Sequence, residues 1–219
     1  MDDNKSLKVT PLYEIHKEMD ARMAPFGGFE MPIQYTGILE EHSAAREEAA
    51  IFDTCHMGEF IISGSESQKD LERLLSCSIS AIDQNRCKYG FITNPQGGVI
   101  DDMIIYRKGD REFLMVVNAG TKEKDYNWIF ENISEGTQIR DISENTAKID
   151  IQGPKAPEII EKMVERSVQG LKFFEFMDNT IGDTEILLSR TGYTGEVGFE
   201  IFCDSSASKP IWRKATELG

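Results

Sequence analysis

The chain has 219 residues, 40% of them hydrophobic, and a formal net charge of -14. A globular chain of this length buries roughly 70% of its unfolded surface, so one large or two small domains can form a core without disulfides or metals. An acidic chain repels phosphate backbones, which speaks against a nucleic-acid partner, and no apolar run approaches membrane-spanning length.

The N-terminus, Met1-Asp2-Asp3-Asn4-Lys5, carries no apolar signal core and is too acidic for a transit peptide. A soluble, cytoplasmic protein is expected. Thr10 is placed as the N-cap of a helix over Pro11 to Met19, with Pro11 at the first helical position. The stretch Pro25-Phe26-Gly27-Gly28-Phe29-Glu30-Met31-Pro32 is expected to be irregular. Gly37 to Ala50 reads as a charged helix with Glu41, Arg46 and Glu47 on its wet face.

From Glu59 a pattern starts and later recurs. Glu59 to Ser63 reads as a strand, and Gln68 to Ser76 as a helix with Leu71, Leu74 and Leu75 on one face. Strands follow over Tyr89 to Thr93, Val99 to Tyr106 and Glu112 to Val117, the last two joined by a Gly109-Asp110 turn. A helix from about Thr121 to Ile133 closes this first repeat. The second repeat has a strand over Ala147 to Ile151, ended by Gly153-Pro154, and a helix over Ala156 to Val164. Strands over Phe173 to Met177, Thr184 to Ser189 and Phe199 to Cys203 precede a last helix, Lys209 to Leu218. Both repeats read β-α-β-β-β-α, which predicts an α+β fold of two similar units packed with approximate twofold symmetry. A crevice between such units is a natural ligand site.

Two acids stand out. Asp101 and Asp102 follow the Gly97-Gly98 turn and open the apolar strand Met103-Ile104-Ile105-Tyr106. Successive strand residues point to opposite faces, so one carboxylate faces solvent or a partner while the other points to a core or cleft. An unpaired ionised carboxylate there costs several kcal/mol, which marks it as a ligand, an ion pair or a proton-handling group. In the second repeat, Arg190 to Gly198 is a loop rich in glycine and hydroxyls between two apolar strands. It is either a tight hairpin or a surface where a ligand meets backbone closely. It does not precede a helix, so it fits neither a P-loop nor a dinucleotide fingerprint. Glu200 is either a strand-end acid or a pocket carboxylate that accepts paired N–H groups. Tyr89 and Tyr193 can stack on a flat ring, while Met57 and Met103 are most simply core residues.

Other chemistries find little support. The cysteines, Cys55, Cys77, Cys87 and Cys203, form no C-x-x-C pair and are expected as buried thiols in a reducing compartment. Cys55 precedes His56, but nothing nearby completes a nucleophilic triad. His16, His42 and His56 are scattered, and no metal site is expected. These residues suit a flat, nitrogen-rich ligand without naming it.

Seven ordered segments resemble the aminomethyltransferase family, the T-protein of the glycine cleavage system. They are Thr10-Pro11-Leu12-Tyr13, Phe52-Asp53-Thr54-Cys55-His56-Met57-Gly58, Gly97-Gly98-Val99-Ile100-Asp101-Asp102, Val116-Val117-Asn118-Ala119, Lys122-Glu123-Lys124-Asp125, Ile151-Gln152-Gly153-Pro154 and Arg190-Thr191-Gly192-Tyr193-Thr194-Gly195-Glu196. Where many members carry Ser, this chain has Cys55. The resemblance implies transfer of the aminomethyl group from the lipoylated H-protein to tetrahydrofolate, with release of ammonia. Asp101 matches the family's key aspartate beside the folate nitrogens, where a carboxylate stabilises developing positive charge. Tyr193 and Glu200 match pterin-contacting positions, and Met57, Tyr89 and Asn118 match other positions lining the folate pocket. Asp102 would be the outward or structural partner.

The resemblance further implies a first folate-binding subdomain from residues 1–55 with 145–219 and a second from 56–144. The chain ends at Gly219, before the family's arginine-bearing segment and its C-terminal β-rich domain. Two alternatives from the wider family are a folate-dependent demethylase and a non-catalytic folate-binding relative.

Overall fold

The computed structural model describes residues 6–219. The chain begins with α1 (Tyr13–Glu18), β1 (Arg22–Phe26), β2 (Phe29–Gln34), α2 (Ile38–Glu47) and β3 (Ala50–Asp53). Helix α1 starts later than Pro11 because Thr10 is not its cap. The Thr10 hydroxyl instead donates to Asp53 Oδ2 at 2.6 Å, and His16 Nε2 lies 2.8 Å from the same oxygen. The segment expected to be irregular is a β1-β2 hairpin, with Pro25 opposite Glu30 and Pro32 opposite Met23. Proline is tolerated here because a two-stranded ribbon leaves each strand an outer edge that needs no N–H donor. Gly27 and Gly28, with φ of 57° and 86°, make the tight turn that L side chains resist.

The next elements are β4 (Gly58–Ser63), α3 (Ser67–Leu74), β5 (Cys87–Thr93), β6 (Val99–Arg107), β7 (Glu112–Val117), α4 (Lys122–Asn132) and β8 (Gln138–Asp141). They belong to one compact unit, Met57–Glu144 with Phe174–Met177. Its sheet is antiparallel in the order β5-β6-β7-β4-β8. Alternate residues of these strands, including Phe60, Ile62, Met103, Ile105, Met115 and Val117, form its core with Leu71 and Leu74 of α3 and Ile129 of α4. Each such side chain contributes about 1.5–3 kcal/mol when fully buried.

The remaining elements are β9 (Thr146–Gln152), α5 (Ala156–Met163), β10 (Phe176–Ile181), β11 (Thr184–Ser189), β12 (Gly198–Asp204) and α6 (Ser208–Leu218). The predicted strand over Phe173 to Met177 is thus displaced toward Ile181; Phe174 has a positive φ of 63° and interrupts extended chain. The second unit comprises the described residues up to His56, Asn145–Phe173 and Asp178–Gly219. Its sheet runs β10-β11-β12-β9-β3.

The two sheets have the same plan. Counting strands within each repeat, both run second, third, fourth, first, and each ends in an extra edge strand, β8 or β3. The extra strand of each sheet lies in sequence just before the first strand of the other unit's repeat. The β-α-β-β-β-α duplication is therefore a property of topology, and the α+β fold follows from it.

Candidate functional site

Asp101 is positioned by the turn before β6. Asn94 Oδ1 accepts the backbone N–H groups of Gln96 and Gly98 at 3.0 and 2.8 Å, and Gly97 takes a φ of 80°. The β5-β6 register shifts there, so that Ile92 pairs with Asp101 and Thr93 with Val99. Asp101 continues the row of Met103 and Ile105 toward α4, whereas Asp102 lies on the opposite face with Tyr89.

The two acids are nevertheless tied together. Asn118, just past β7, donates from Nδ2 to Asp101 Oδ1 at 3.0 Å and to Asp102 Oδ1 at 2.7 Å. The Asp102 backbone N–H donates to Asp101 Oδ1 at 2.8 Å, and the Tyr89 hydroxyl to Asp102 Oδ2 at 3.1 Å. Burial pushes the Asp101 carboxyl up, but the surrounding groups, Thr121, Asp125, the Asp102 N–H and Asn118, outweigh it and bring it to about 2. Asp101 is therefore an anion at neutral pH, with its side chain 12% exposed. Met57 is half-buried and directly precedes β4, whose first residue, Gly58, pairs with Val117 beside Asn118. Asp101, Asn118, Tyr89 and Met57 thus all belong to the Met57–Glu144 unit, three of them joined by hydrogen bonds through the acid pair.

Tyr193 and Glu200 belong to the other unit. Glu200 is buried on β12 and bonded to Lys148 Nζ at 2.8 Å and the Thr191 hydroxyl at 2.6 Å. Lys148 also donates to Asp150 Oδ1 at 2.8 Å. Burial works against the Lys148 charge, but the two carboxylates reverse that and raise its pKa. Thr191 lies in the same loop as Tyr193, which is 99% exposed. Tyr193 and Thr194 border a cavity of about 590 Å³ lined also by Phe52, Asp53, Arg46 and Trp212. The loop's glycines let it close down on β9: a Cβ on Gly198 would lie 1.8 Å from Gln152 Oε1.

A model of the GCVT N-terminal domain matches residues 12–219. The chain belongs to the GCVT N-terminal domain family. It is similar to the aminomethyltransferases of Halothermothrix orenii (38% identical, 97% of this chain and 60% of the relative) and Bacillus subtilis (41%, 97% and 59%). It therefore spans about three fifths of the length of these curated relatives. The crystal structure of glycine cleavage system aminomethyltransferase T from Bartonella henselae superposes with a TM-score of 0.88 at 27% identity, over 96% of this chain and 57% of that one. Heterotetrameric sarcosine oxidase from a Corynebacterium shares the fold, with a TM-score of 0.63 at 13% identity, over 95% of this chain and 93% of that one.

Two groups near the predicted GCVT-domain residues escaped sequence reading. Asp125 of α4 is fully buried beside Asp101, and Lys124 Nζ lies 3.6 Å from Asp125 Oδ1 and 3.8 Å from Asp101 Oδ2. Asp125 is four residues before the buried Ile129, a spacing that puts both on one helix face and could have revealed it. Lys148 and Asp150 alternate with Ile149 and Ile151, a pattern that ordinarily means one wet strand face, yet here both faces are buried. Among the described residues, no group of three His, Cys, Asp or Glu side chains could hold a metal ion, and no helix is long and apolar enough to cross a membrane.

Proposed function

We propose that this chain is the folate-binding portion of an aminomethyltransferase of the glycine cleavage system. It would pass the aminomethyl one-carbon unit from the lipoylated H-protein to tetrahydrofolate, with release of ammonia. The observation that carries the reading is Asp101: a carboxylate held ionised and oriented by Asn118. We assign it the role of the family's key aspartate from the resemblance of the Gly97 to Asp102 segment. Tetrahydrofolate supplies the acceptor nitrogens. An anion with a fixed orientation is suited to receive an N–H group and to stabilise positive charge on a one-carbon unit at no reorganisation cost.

Asp101 is the proposed catalytic residue, and Met57, Tyr89, Asn118, Tyr193 and Glu200 the proposed folate-binding residues. Tyr89 and Tyr193 suit a flat ring, since both rings are exposed, at 46% and 99%. Glu200 contributes through a carboxylate already fixed by Lys148 and Thr191, which would hold its orientation when a ligand arrives. Residues 1–55 with 145–219 and residues 56–144 are the two proposed folate-binding subdomains. The four cysteines are buried, which is consistent with the reducing, cytoplasmic compartment proposed here.

Isothermal titration of tetrahydrofolate into the 219-residue chain tests the reading. Saturable one-site binding is expected. A folded sample that takes up no tetrahydrofolate overturns it.

A further inference from the structure

Three buried carboxylate oxygens lack a hydrogen-bond donor: Asp101 Oδ2, Asp125 Oδ1 and Asp125 Oδ2. The Asp125 side chain is 0% exposed and that of Asp101 12%. Asp101 Oδ2 and Asp125 Oδ1 flank one ammonium, that of Lys124, so the two carboxyls are close neighbours, and two carboxylate anions cannot bond each other. Lys124 does not resolve the conflict. Its Nζ donates to the Ile100 carbonyl at 2.7 Å and stays 3.6 and 3.8 Å from the two acids, on a side chain 50% exposed.

The other groups around the pair are already committed. The Thr121 hydroxyl lies beside both acids and favours their charged forms, but its one proton also goes to the Asn118 carbonyl at 3.3 Å, and Asn118 spends its amide on Asp101 Oδ1 and Asp102 Oδ1. Lys122, one turn of chain away, is held by Asp141 at 2.9 Å. Asp102 faces the opposite side of the sheet with Tyr89. One proton between the acids joins an Asp125 oxygen to Asp101 Oδ2 and removes one of the two buried charges, and the more deeply buried of the two acids is the one that carries it at least cost.

We infer that Asp101 and Asp125 share a single proton, carried by Asp125 and donated to Asp101 Oδ2, which makes Asp125 the positioning residue that keeps Asp101 anionic and aimed. The proton rests on the buried, unpartnered oxygens of the two neighbouring acids; its bearing on ligand binding rests on the folate reading above. Burial first, then the Asp101 carboxylate, pushes the Asp125 carboxyl up to about 7. When Asp125 loses its proton, two like charges meet and drive Asp101 off its bond to Asn118.

The test is infrared difference spectroscopy of the protonated-carboxyl stretch, on the ligand-free chain across pH. A band that titrates near neutrality, vanishes in Asp125→Asn, and moves its midpoint down by about one pH unit or more in Asp101→Asn is the expected result. A wild-type chain with no such band at pH 6, or a band that Asp125→Asn leaves in place, overturns the shared proton. Tetrahydrofolate affinity measured over the same pH range tests the positioning role. It is expected to fall by about tenfold as Asp125 ionises in the wild type. Asp125→Asn, which still offers an N–H to Asp101, should flatten that profile, and Asp125→Leu should weaken binding at every pH. A profile that persists unchanged in Asp125→Asn overturns the role. Absence of tetrahydrofolate binding in the wild type would sink the folate reading, while the infrared band would still decide the proton.

Discussion

Lys148 Nζ sits 2.8 Å from Glu200 Oε1, with both side chains only 6% exposed. The same ammonium is 2.8 Å from Asp150 Oδ1, so one buried cation serves two buried acids on neighbouring strands. Burial, and then Glu200 against the pull of Lys148, leaves the Asp150 carboxyl raised to about 6. Removing the cation strands both carboxylates. Lys148→Met should cost about 3–5 kcal/mol in urea unfolding. Glu200→Gln leaves one cation with one anion and keeps an acceptor for Thr191, so its cost should be nearer 1–2 kcal/mol. Equal costs would mean that the cluster is not charge-balanced in the way described.

Gly198 and Gly192 press on one side chain. A Cβ at either would meet Gln152 Oε1, at 1.8 and 2.0 Å. Gln152 is 1% exposed and its Nε2 donates to the Thr191 carbonyl at 3.1 Å, so it has no room to withdraw. Gly198→Ala should therefore lower stability by about 1–3 kcal/mol, read from thermal unfolding. Combining it with Gln152→Ala should cost less than the sum of the two single changes, because the second substitution removes the clash.

Asp70 anchors the segment after α4. Its Oδ2 accepts from the Thr137 hydroxyl at 2.6 Å and from the Ser134 N–H and hydroxyl at 2.9 and 2.8 Å. Burial pushes its carboxyl up, but these donors and Arg73 outweigh burial and bring it to about 2, from an ordinary 3.8. A carboxyl lowered on folding adds stability above its unfolded pKa and loses it as pH falls through the folded one. The difference between wild type and Asp70→Asn should be about 2 kcal/mol near pH 6 and should shrink between pH 4 and pH 2 in acid unfolding. A difference that stays constant over that window would contradict the assignment.

Much of the fold was legible because apolar alternation survives in the strands that carry the core. Strands β7 and β11 lie where Glu112 to Val117 and Thr184 to Ser189 predict them. What escaped reading had weak local signals. Strands β3 and β8 have four residues each and are edge strands, with sheet partners set by tertiary pairing. The β1-β2 hairpin was hidden by Pro25 and Pro32, whose missing donors matter only in a central strand. Thr10 looked like a helix cap, but its hydroxyl found a partner 43 positions away in Asp53. At the candidate site, Asp101 could be singled out from its placement at a strand root. Asp125 was harder to single out: an acid in the first turn of a charged helix ordinarily faces water, and only its spacing from Ile129 hints at burial.

The central claim is that Asp101, not its neighbour, is the working acid. The most direct measurement is ammonia release from aminomethyl-loaded H-protein in the presence of tetrahydrofolate, for Asp101→Asn and Asp102→Asn side by side. Asp101→Asn should lower the rate by about a hundredfold or more, as for loss of a preorganised electrostatic contact. Asp102→Asn, which keeps one oxygen to accept from Asn118 and can donate its amide to the Tyr89 hydroxyl, should stay within about tenfold of the wild type. Equal losses in the two variants would contradict the account.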